Sequence, residues 1–233
     1  MVNQAGARLY ALITIVDHRL EHALTNVYKR NNIPILLLTY GKGTAKSVVY
    51  EILGYEGRKK TVSISIQTKA LTKQIIKQLN DRVDFFKAGT GIAFAINLSS
   101  VSSGLYNVCV QADENVTIGS EDMALTSKEP YHLIVTIVNS GFFDQVMTAA
   151  KKAGANGGTV VHARGLGSKE AMKYLGITIQ PEKDLILILT PKDKKSAIME
   201  SIMHEVGLNT AGTGICFSLP VDHAIGINAV KGS

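Results

Sequence analysis

The sequence predicts an α+β protein made of two similar halves. Short runs rich in β-branched residues predict strands, and between them apolar residues recur with the roughly 3.6-residue period of a helix. Segments of the first half recur in the second half in the same order, which indicates an internal duplication. A length of 233 residues allows one large domain or two smaller ones. The duplication favours two.

The clearest repeat is a glycine-containing turn that leads into an apolar strand. AGTGIAF at 88–94 recurs as AGTGICF at 211–217, and ITIVD at 13–17 matches TIVN at 136–139. Shorter matches, GKG and GLG, keep the same order in the middle of each half. We therefore predict two homologous domains in tandem. Their bounds are 1–112 and 131–233, with a linker at 113–130.

The second half predicts the order strand, helix, strand, long loop, strand, helix, strand. Leu185–Leu189 is so continuously apolar that this strand is either buried on both faces or central in its sheet. Gly154 and Gly207 mark the ends of the two helices. The other predicted strands are Leu133–Val138, Thr159–Ala163 and Ile215–Leu219, and the helices follow Gly141 and Pro191.

The first half repeats this order. Right-handed crossovers then give two ferredoxin-like βαββαβ domains, each with a four-stranded antiparallel sheet and helices on one face. The other face of each sheet is left open, so we expect an oligomer that covers it. The predicted elements of the first half are strands at 10–16, 35–40, 62–67 and 92–97 and helices at 20–30 and 71–80.

Composition and motifs exclude several classes of protein. The formal charge of +6 is modest, and no aromatic residues interleave with the lysines as a nucleic-acid surface would require. Two cysteines are too few for a disulfide framework. The sequence has no apolar run long enough to cross a membrane and no signal peptide, so we expect a cytoplasmic protein.

No catalytic or metal-binding motif is evident in the sequence, so we do not expect an enzyme. The nucleophile elbow, the phosphate-binding loop and the zinc motifs are all missing. His18 and His22 are four residues apart and could share a helix face to bind a metal, although polar residues at a helix start are the far commoner explanation. Cys216 lies in an apolar strand, where a buried structural cysteine is the common case.

Glycines and loop lengths give the most specific hypotheses. The Gly-Thr-Gly segments at 89–91 and 212–214 could present successive backbone N–H groups to an anion. The alternative is a tight turn that only glycine can adopt. The loops at 41–60 and 165–183 are about twenty residues long, and loops of that length are usually functional or disordered.

Together these segments carry a family resemblance. GTGICFSLPVDHAIGI at 212–227 and HARGLGS at 162–168 resemble the P-II nitrogen regulatory family, and GITIQPEK at 176–183 resembles a tandem or divergent P-II-like subgroup. The resemblance covers most of 131–230 and, less closely, 8–105. It implies a trimer with nucleotides between neighbouring domains, phosphates held by the short glycine loop, and a long loop that contacts partners.

The resemblance also implies the ligand-binding residues. No residue is expected to be catalytic or to bind a metal, and the candidate ligands are an adenine nucleotide or a small anion. The candidates carried over from the resemblance are Gly41, Gly43, Gly89, Gly91, Gly165, Gly167, Gly212 and Gly214. The hydroxyls of Thr90 and Thr213 and the cation Arg164 are added as side chains beside these glycines that could bind an anion.

Departures from the family pattern limit the ligand. The family has a lysine directly after Gly-x-Gly, where this chain has Ile215 and Ile92. It has two arginines further on, where this chain has Gly226 and Asn228 in the second half and Ser103 and Leu105 in the first. Because charge-assisted bonds contribute about 1.5–3 kcal/mol each, we expect no triphosphate binding of the usual kind. Tyr50, Tyr55 and Tyr174 match the family's modified tyrosine by location only.

Two functional hypotheses remain. The first is a P-II-like regulator that senses a small-molecule effector between domains and acts through its loops on a protein partner, for which the resemblance suggests a membrane transporter. The second is a ligand-free scaffold that keeps the trimeric shell. In both, three chains with six domains form the simplest closed assembly, because each chain brings two domains.

Overall fold

The computed structural model describes residues 7–44, 59–85, 87, 89–114, 131–164 and 182–227. Within these ranges the chain forms nine strands and five α-helices, and two short 3₁₀ turns at His18–Leu20 and Lys192–Lys194 precede α1 and α5. The elements are β1 (Leu9–Asp17), α1 (Glu21–Arg30), β2 (Ile35–Gly43), β3 (Lys59–Thr68), α2 (Lys69–Val83), β4 (Gly91–Asn97), α3 (Ser103–Glu114), β5 (Tyr131–Asn139), α4 (Phe143–Lys152), β6 (Thr159–Arg164), β7 (Glu182–Pro191), α5 (Lys195–Val206), β8 (Ile215–Val221) and β9 (His223–Ile225).

The mixed α+β fold predicted from the sequence is confirmed. Each predicted strand and helix occurs, and most extend one to three residues beyond the predicted ends. Two elements were not predicted, namely helix α3 and the short strand β9. No helix in the described ranges is both long and apolar enough to cross a membrane.

The chain divides into two compact units that are not simply its two halves. The first unit contains 1–40, 60–128 and the C-terminal segment 221–233, and the second contains 41–59 and 129–220. The prediction of two tandem domains joined by a linker stays a prediction.

The first unit has the strand order β2-β3-β1-β4-β9. Residues 35–40 of β2 with β3, β1 and β4 form the ferredoxin-like arrangement, and β1 pairs antiparallel with both β3 and β4. Alternate β1 residues Tyr10, Leu12 and Val16 pack into the core with apolar residues of α1 and α2. Thr68 caps the start of helix α2, because its hydroxyl accepts a hydrogen bond from the Leu71 amide.

The second unit has the same arrangement, with the strand order β8-β5-β7-β6. Strand β7 pairs antiparallel with β5 and β6, so the apolar run predicted at Leu185–Leu189 is a central strand. Ile186 and Ile188 face the core, where they meet α4 and α5, while alternate leucines of β7 face the other side. Helices α1 and α2 in the first unit, and α4 and α5 in the second, therefore pack on one face of an antiparallel sheet.

Candidate functional site

In the second unit, the Gly-Thr-Gly turn is held to the end of strand β5. The backbone N–H of Asn139 donates to the Gly212 carbonyl at 3.0 Å, and its side-chain amide donates to the Ala211 carbonyl at 3.0 Å. Within the turn, the Thr213 N–H donates to the Thr210 carbonyl at 3.1 Å, and the Gly214 N–H donates to the Val206 carbonyl at 2.7 Å. These two amides, predicted as candidates for an anion nest, are occupied by the chain's own carbonyls.

Gly214 is required by close packing. A Cβ at this position would overlap the Val206 carbonyl oxygen and lie 3.0 Å from Cγ1 of Val138. Thr213 itself has a positive φ of 42°, a backbone conformation that is strained for residues other than glycine. The hydrogen bonds and the packing favour the tight-turn explanation of this segment, and its ligand-binding role stays a prediction.

A lysine at the base of the predicted long loop reaches this turn through Asn139. Lys183, the second residue of β7, donates from Nζ to Oδ1 of Asn139 at 2.5 Å. Partial burial lowers the pKa of the Lys183 ammonium group. Next to it, the Glu182 carbonyl accepts a hydrogen bond from the Ser140 amide at 3.3 Å. The chain that re-enters the sheet after the long loop is thus bonded to the residue that holds the turn.

A buried carboxylate lies beside this lysine. Asp184 is 2% exposed, and its two oxygens accept hydrogen bonds from the Gly141 amide at 3.0 Å and from His162 Nδ1 at 2.8 Å. His162 lies on β6, opposite Asp184, with most of its ring in solvent. The bond to Asp184 orients the imidazole so that Nε2 is the ring nitrogen left to other contacts. Asp184 therefore ties the start of α4 to the strand that leads into the long loop.

The first unit has the same positions with different bonds. The backbone N–H of Asp17, at the end of β1, donates to the Thr90 carbonyl at 2.8 Å. Lys60 Nζ donates directly to the Gly89 carbonyl at 2.9 Å. The Asp17 carboxylate instead binds the Arg19 side chain at 2.8 and 3.2 Å, and hydrogen bonds from Arg19 lower the pKa of Asp17.

Gly91 is also fixed by packing. A Cβ there would overlap the carbonyl oxygen and backbone of Ile15, and its φ of 152° is disfavoured for residues with side chains. The buried Thr90 donates its amide to the Lys87 carbonyl at 3.2 Å. As in the second unit, the bonds of this segment are those of a turn.

His18 and His22, the candidate metal pair, have separate partners. His18 Nδ1 lies 3.0 Å from the Thr61 hydroxyl and 3.2 Å from a Glu21 carboxylate oxygen. His22 Nδ1 lies 3.2 Å from the Asn26 side-chain amide. Within the described part of the chain, no three His, Cys, Asp or Glu side chains are grouped so as to hold a metal.

The remaining predicted site residues lie on the second unit's β6 edge or outside the described residues. Lys42 and Gly43 pair antiparallel with Val160 and Thr159, and a Cβ on Gly41 would overlap the Val160 carbonyl oxygen. Arg164 ends β6 opposite Glu182. Gly165, Gly167 and the tyrosines at 50, 55 and 174 lie outside the described residues, as does most of both long loops.

Comparison with known proteins identifies a family for the second half. Residues 131–231 match the model of the family described as "Nitrogen regulatory protein P-II". Through this segment the chain is related to the P-II family. No curated protein matches the chain by sequence.

Solved structures of P-II and CutA1 proteins are similar to parts of the chain. Arabidopsis thaliana PII bound to citrate is 24% identical over 41% of this chain and 78% of its own, with a TM-score of 0.32. CPII from Thiomonas intermedia K12, bound to ADP, AMP and acetate, is 14% identical over 42% of this chain and 94% of its own, with a TM-score of 0.33. CutA1 from Ehrlichia chaffeensis is 9% identical over 46% of this chain and 95% of its own, with a TM-score of 0.37.

The P-II match ends in a segment that belongs to the first unit. Strand β9 pairs antiparallel with β4, with Ala224 opposite Phe94. Gly226 follows with a φ of 85°, and a Cβ there would overlap the Gly91 carbonyl oxygen. The position at which the P-II resemblance expects an arginine is therefore one that has room for glycine only, while Asn228 lies outside the described residues.

Sequence reasoning missed Asn139 and Lys183, and their first-unit counterparts Asp17 and Lys60. Asp17 and Asn139 end the matched strands 13–17 and 136–139, so the repeat itself paired them. The two lysines likewise recur 123 residues apart at the start of an apolar strand. What marked these four residues in the sequence was their shared position in the repeat, and a search for motifs does not detect such a position.

Proposed function

We propose that the chain is a P-II-like regulator that binds a small anionic or nucleotide ligand beside a Gly-Thr-Gly turn and controls a protein partner through its long loops. P-II proteins are regulators rather than enzymes, and residues 131–231 carry the relationship. In this proposal the second half keeps the fuller P-II pattern and supplies the main ligand site.

The observation that carries the proposal is the path from Lys183 through Asn139 to the turn. Lys183 lies at the base of the long loop, and Asn139 contacts both Lys183 and the carbonyls of Ala211 and Gly212. An anion that draws the Lys183 ammonium away from Asn139 would change the contacts of the turn and of the loop base together. Partial burial strengthens the attraction between that ammonium and an anion.

The chemistry near the turn favours a ligand of low charge. Ile215 and Gly226 replace cations of the family pattern, and the amides of Thr213 and Gly214 are occupied internally. Among the described residues, Lys183 bonds to Asn139, which holds the turn, and Arg164 on β6 lies opposite Glu182. These two cations suit a monoanion, a dianion or a nucleotide held by its base and ribose better than a triphosphate.

The proposed assembly has three chains and six domains, and the proposed partner is a membrane transporter approached from the cytoplasm. Light scattering should report the mass of three chains, and a monomer, dimer or tetramer would contradict this assembly. Deleting 47–57 or 169–179 should leave the fold intact and abolish capture of the partner. Loss of folding on either deletion would show that the loops are structural.

Thermal shift measurements test ligand binding. Adenine nucleotides, cyclic dinucleotides, bicarbonate and 2-oxoglutarate should be compared, because a ligand present at about 100 times its Kd adds about 2.7 kcal/mol to the stability of the native state. Lys183→Met should remove most of the shift given by the active compound. Lys151→Met, on the exposed end of α4, is the matched control and should leave the shift unchanged.

The alternative function is a ligand-free scaffold. It is favoured by the same internal hydrogen bonds of Thr213 and Gly214, which leave those amides no role in binding an anion. A full panel without a thermal shift, in a protein that still captures its partner, would support the scaffold over the sensor.

A further inference from the structure

The pair formed by His162 and Asp184 takes no part in the path from Lys183 to the turn. The His162 side chain is 68% exposed, and its Nδ1 lies 2.8 Å from Oδ1 of Asp184. Asp184 is buried, and its other oxygen accepts the Gly141 amide at 3.0 Å. The carboxylate is therefore held by two donors, and it fixes the orientation of an imidazole that is otherwise in solvent.

This bond also determines which ring nitrogen of His162 carries the proton. An ionised carboxylate can only accept hydrogen bonds, so the proton between Asp184 and His162 belongs to Nδ1. In the neutral ring, Nε2 then carries a lone pair. The exposed ring thus presents an unprotonated nitrogen, which is what a nucleophilic histidine requires.

Among the described histidines, His162 is the one that bonds to a buried carboxylate. His18 also has a carboxylate beside Nδ1, that of Glu21 at 3.2 Å, but Glu21 is partly exposed and the ring packs against Tyr40. A buried carboxylate interacts more strongly with the positive charge that forms when an imidazole reacts, because water screens it less. His162 therefore has the most favourable surroundings for attack on an electrophile.

The charges on the same face of the sheet favour an anionic electrophile. Arg164 lies two residues beyond His162 on β6, so the two share a face. Lys42 lies opposite Val160, two residues before His162, and so belongs to that face too. Glu182, opposite Arg164, is the exposed acid at these positions. A cation thus flanks His162 on each side along the strand.

We propose that His162 is a phosphoryl-acceptor site, whose Nε2 takes a phosphoryl group from a small donor of the phosphoramidate class. The Nε2 lone pair forms the bond to phosphorus, the phosphorus–nitrogen bond of the donor breaks, and ammonia leaves. Nδ1 keeps its proton, and the positive charge of the phosphorylated ring is stabilised by the Asp184 carboxylate. Asp184 is a positioning residue, since it acts through His162.

The modification would change the charge at the end of β6. A phosphoryl group adds about two negative charges at neutral pH, and here they would lie beside Arg164, directly before the predicted long loop at 165–183. The site does not rest on the proposed ligand site, because neither Lys183 nor Asn139 takes part. Only Arg164 is common to both proposals.

The experiment treats the full chain with potassium phosphoramidate and follows each histidine by mass spectrometry. His22 is the internal control, because it is exposed and its Nδ1 accepts from the Asn26 side-chain amide, which leaves the proton on Nε2. His162 should react at least about ten times faster than His22, the factor that one charge-assisted hydrogen bond supplies. Phosphorus NMR should show the Nε2 isomer alone at His162.

Two variants separate the contributions of the neighbouring groups. Asp184→Asn removes the negative charge in either orientation of the amide, so the reaction of His162 should slow at least about tenfold while that of His22 stays the same. The share of the Nδ1 isomer should also rise, which a purely structural role would not cause. Arg164→Gln should slow the reaction with phosphoramidate about two- to fivefold, as expected for one exposed charge pair, and leave that with the neutral reagent diethyl pyrocarbonate unchanged.

Other results would overturn the proposal. These are equal rates at His162 and His22, phosphorylation of His162 on Nδ1 in the wild type, or a rate that Asp184→Asn leaves unchanged. An equal effect of Arg164→Gln on both reagents would make His162 a reactive imidazole with no preference for a phosphoryl donor. The comparison of the two histidines within the wild-type chain keeps the test valid even where Asp184→Asn does not fold.

Discussion

The Gly-Thr-Gly turns of the two units have the same sequence but are held in different ways. In the first unit, Lys60 bonds directly to the turn, and the Asp17 carboxylate bonds to Arg19. In the second, the Asn139 side chain holds the turn and also accepts the bond from Lys183. The comparison teaches that the turn itself is a shared structural feature. What distinguishes the second unit is that the link between the loop base and the turn passes through one side chain, that of Asn139.

The largest effects are expected from the glycines that the turns require. Gly91→Ala should cost about 3–5 kcal/mol, because its Cβ overlaps the Ile15 backbone and its φ is positive. Gly214→Ala should cost less, about 2–3 kcal/mol, because its Cβ overlaps the Val206 carbonyl without a positive φ. Urea unfolding measures both.

Gly104→Ala is the control for these substitutions. No atom lies within 4 Å of a Cβ at Gly104, which is in the first turn of α3. This change should be neutral or stabilise by up to about 1 kcal/mol. Equal and small effects for all three variants would contradict the tight-turn explanation.

The next largest effect concerns corresponding positions on β7 and β3. Asp184→Ala should cost about 2–3 kcal/mol, since it removes a buried carboxylate that accepts hydrogen bonds from the Gly141 amide and from His162. The first unit has Thr61 at this position, and its hydroxyl donates to Glu21 at 2.8 Å. Thr61→Val should cost about 1 kcal/mol. If Thr61→Val proved the more damaging in urea unfolding, this ranking would be wrong.

Local pattern predicted most of the fold, and long-range pairing explains what was missed. The strands and helices of both units follow from apolar periodicity, which acts over a few residues. Strand β9 could not be predicted because His223–Ile225 is too short to show a period and is stabilised by pairing with β4, far away in sequence. Helix α3 was missed because its serine, glycine and other polar residues give a weak apolar period, although Cys109 is buried against β3.

The candidate site was predicted in position but not in mechanism. The glycine motif located both turns, because sequence shows where a backbone needs glycine. Sequence cannot show which carbonyl an amide will meet, so the bonds from Thr213 and Gly214 back to the chain were not foreseen. Asn139 and Lys183 are 44 residues apart in the sequence but are joined by a hydrogen bond. That bond depends on the pairing of β5 with β7.

The two lysines allow the comparison of the turns to be tested directly. Lys183→Met should cost about 1–2 kcal/mol, because a partly buried, charge-assisted bond to Asn139 is lost. Lys60→Met should cost less than about 1 kcal/mol, because its bond to the Gly89 carbonyl is exposed. Hydrogen exchange should show faster opening near 211–214 in the first variant only. Equal opening of both turns in both variants would contradict the difference drawn here.

The smallest effect should come from Asp17→Asn, which gives the first unit the residue type that the second has at Asn139. Hydrogen bonds from Arg19 lower the pKa of Asp17, so the ion pair contributes stability above the carboxyl's ordinary pKa of about 4, and this contribution is lost as the pH falls through the lower folded-state value. Arg19 is 79% exposed, so the contribution at pH 7 should stay below about 1 kcal/mol.

Urea unfolding should therefore separate the variant from the wild type at pH 7 and bring them together near pH 2. A double-mutant cycle with Arg19→Gln should recover the whole difference as coupling between the two side chains. A difference that persisted at pH 2 would mean that Asp17 acts through its bond to the Arg19 amide, which asparagine replaces poorly, and not through its charge.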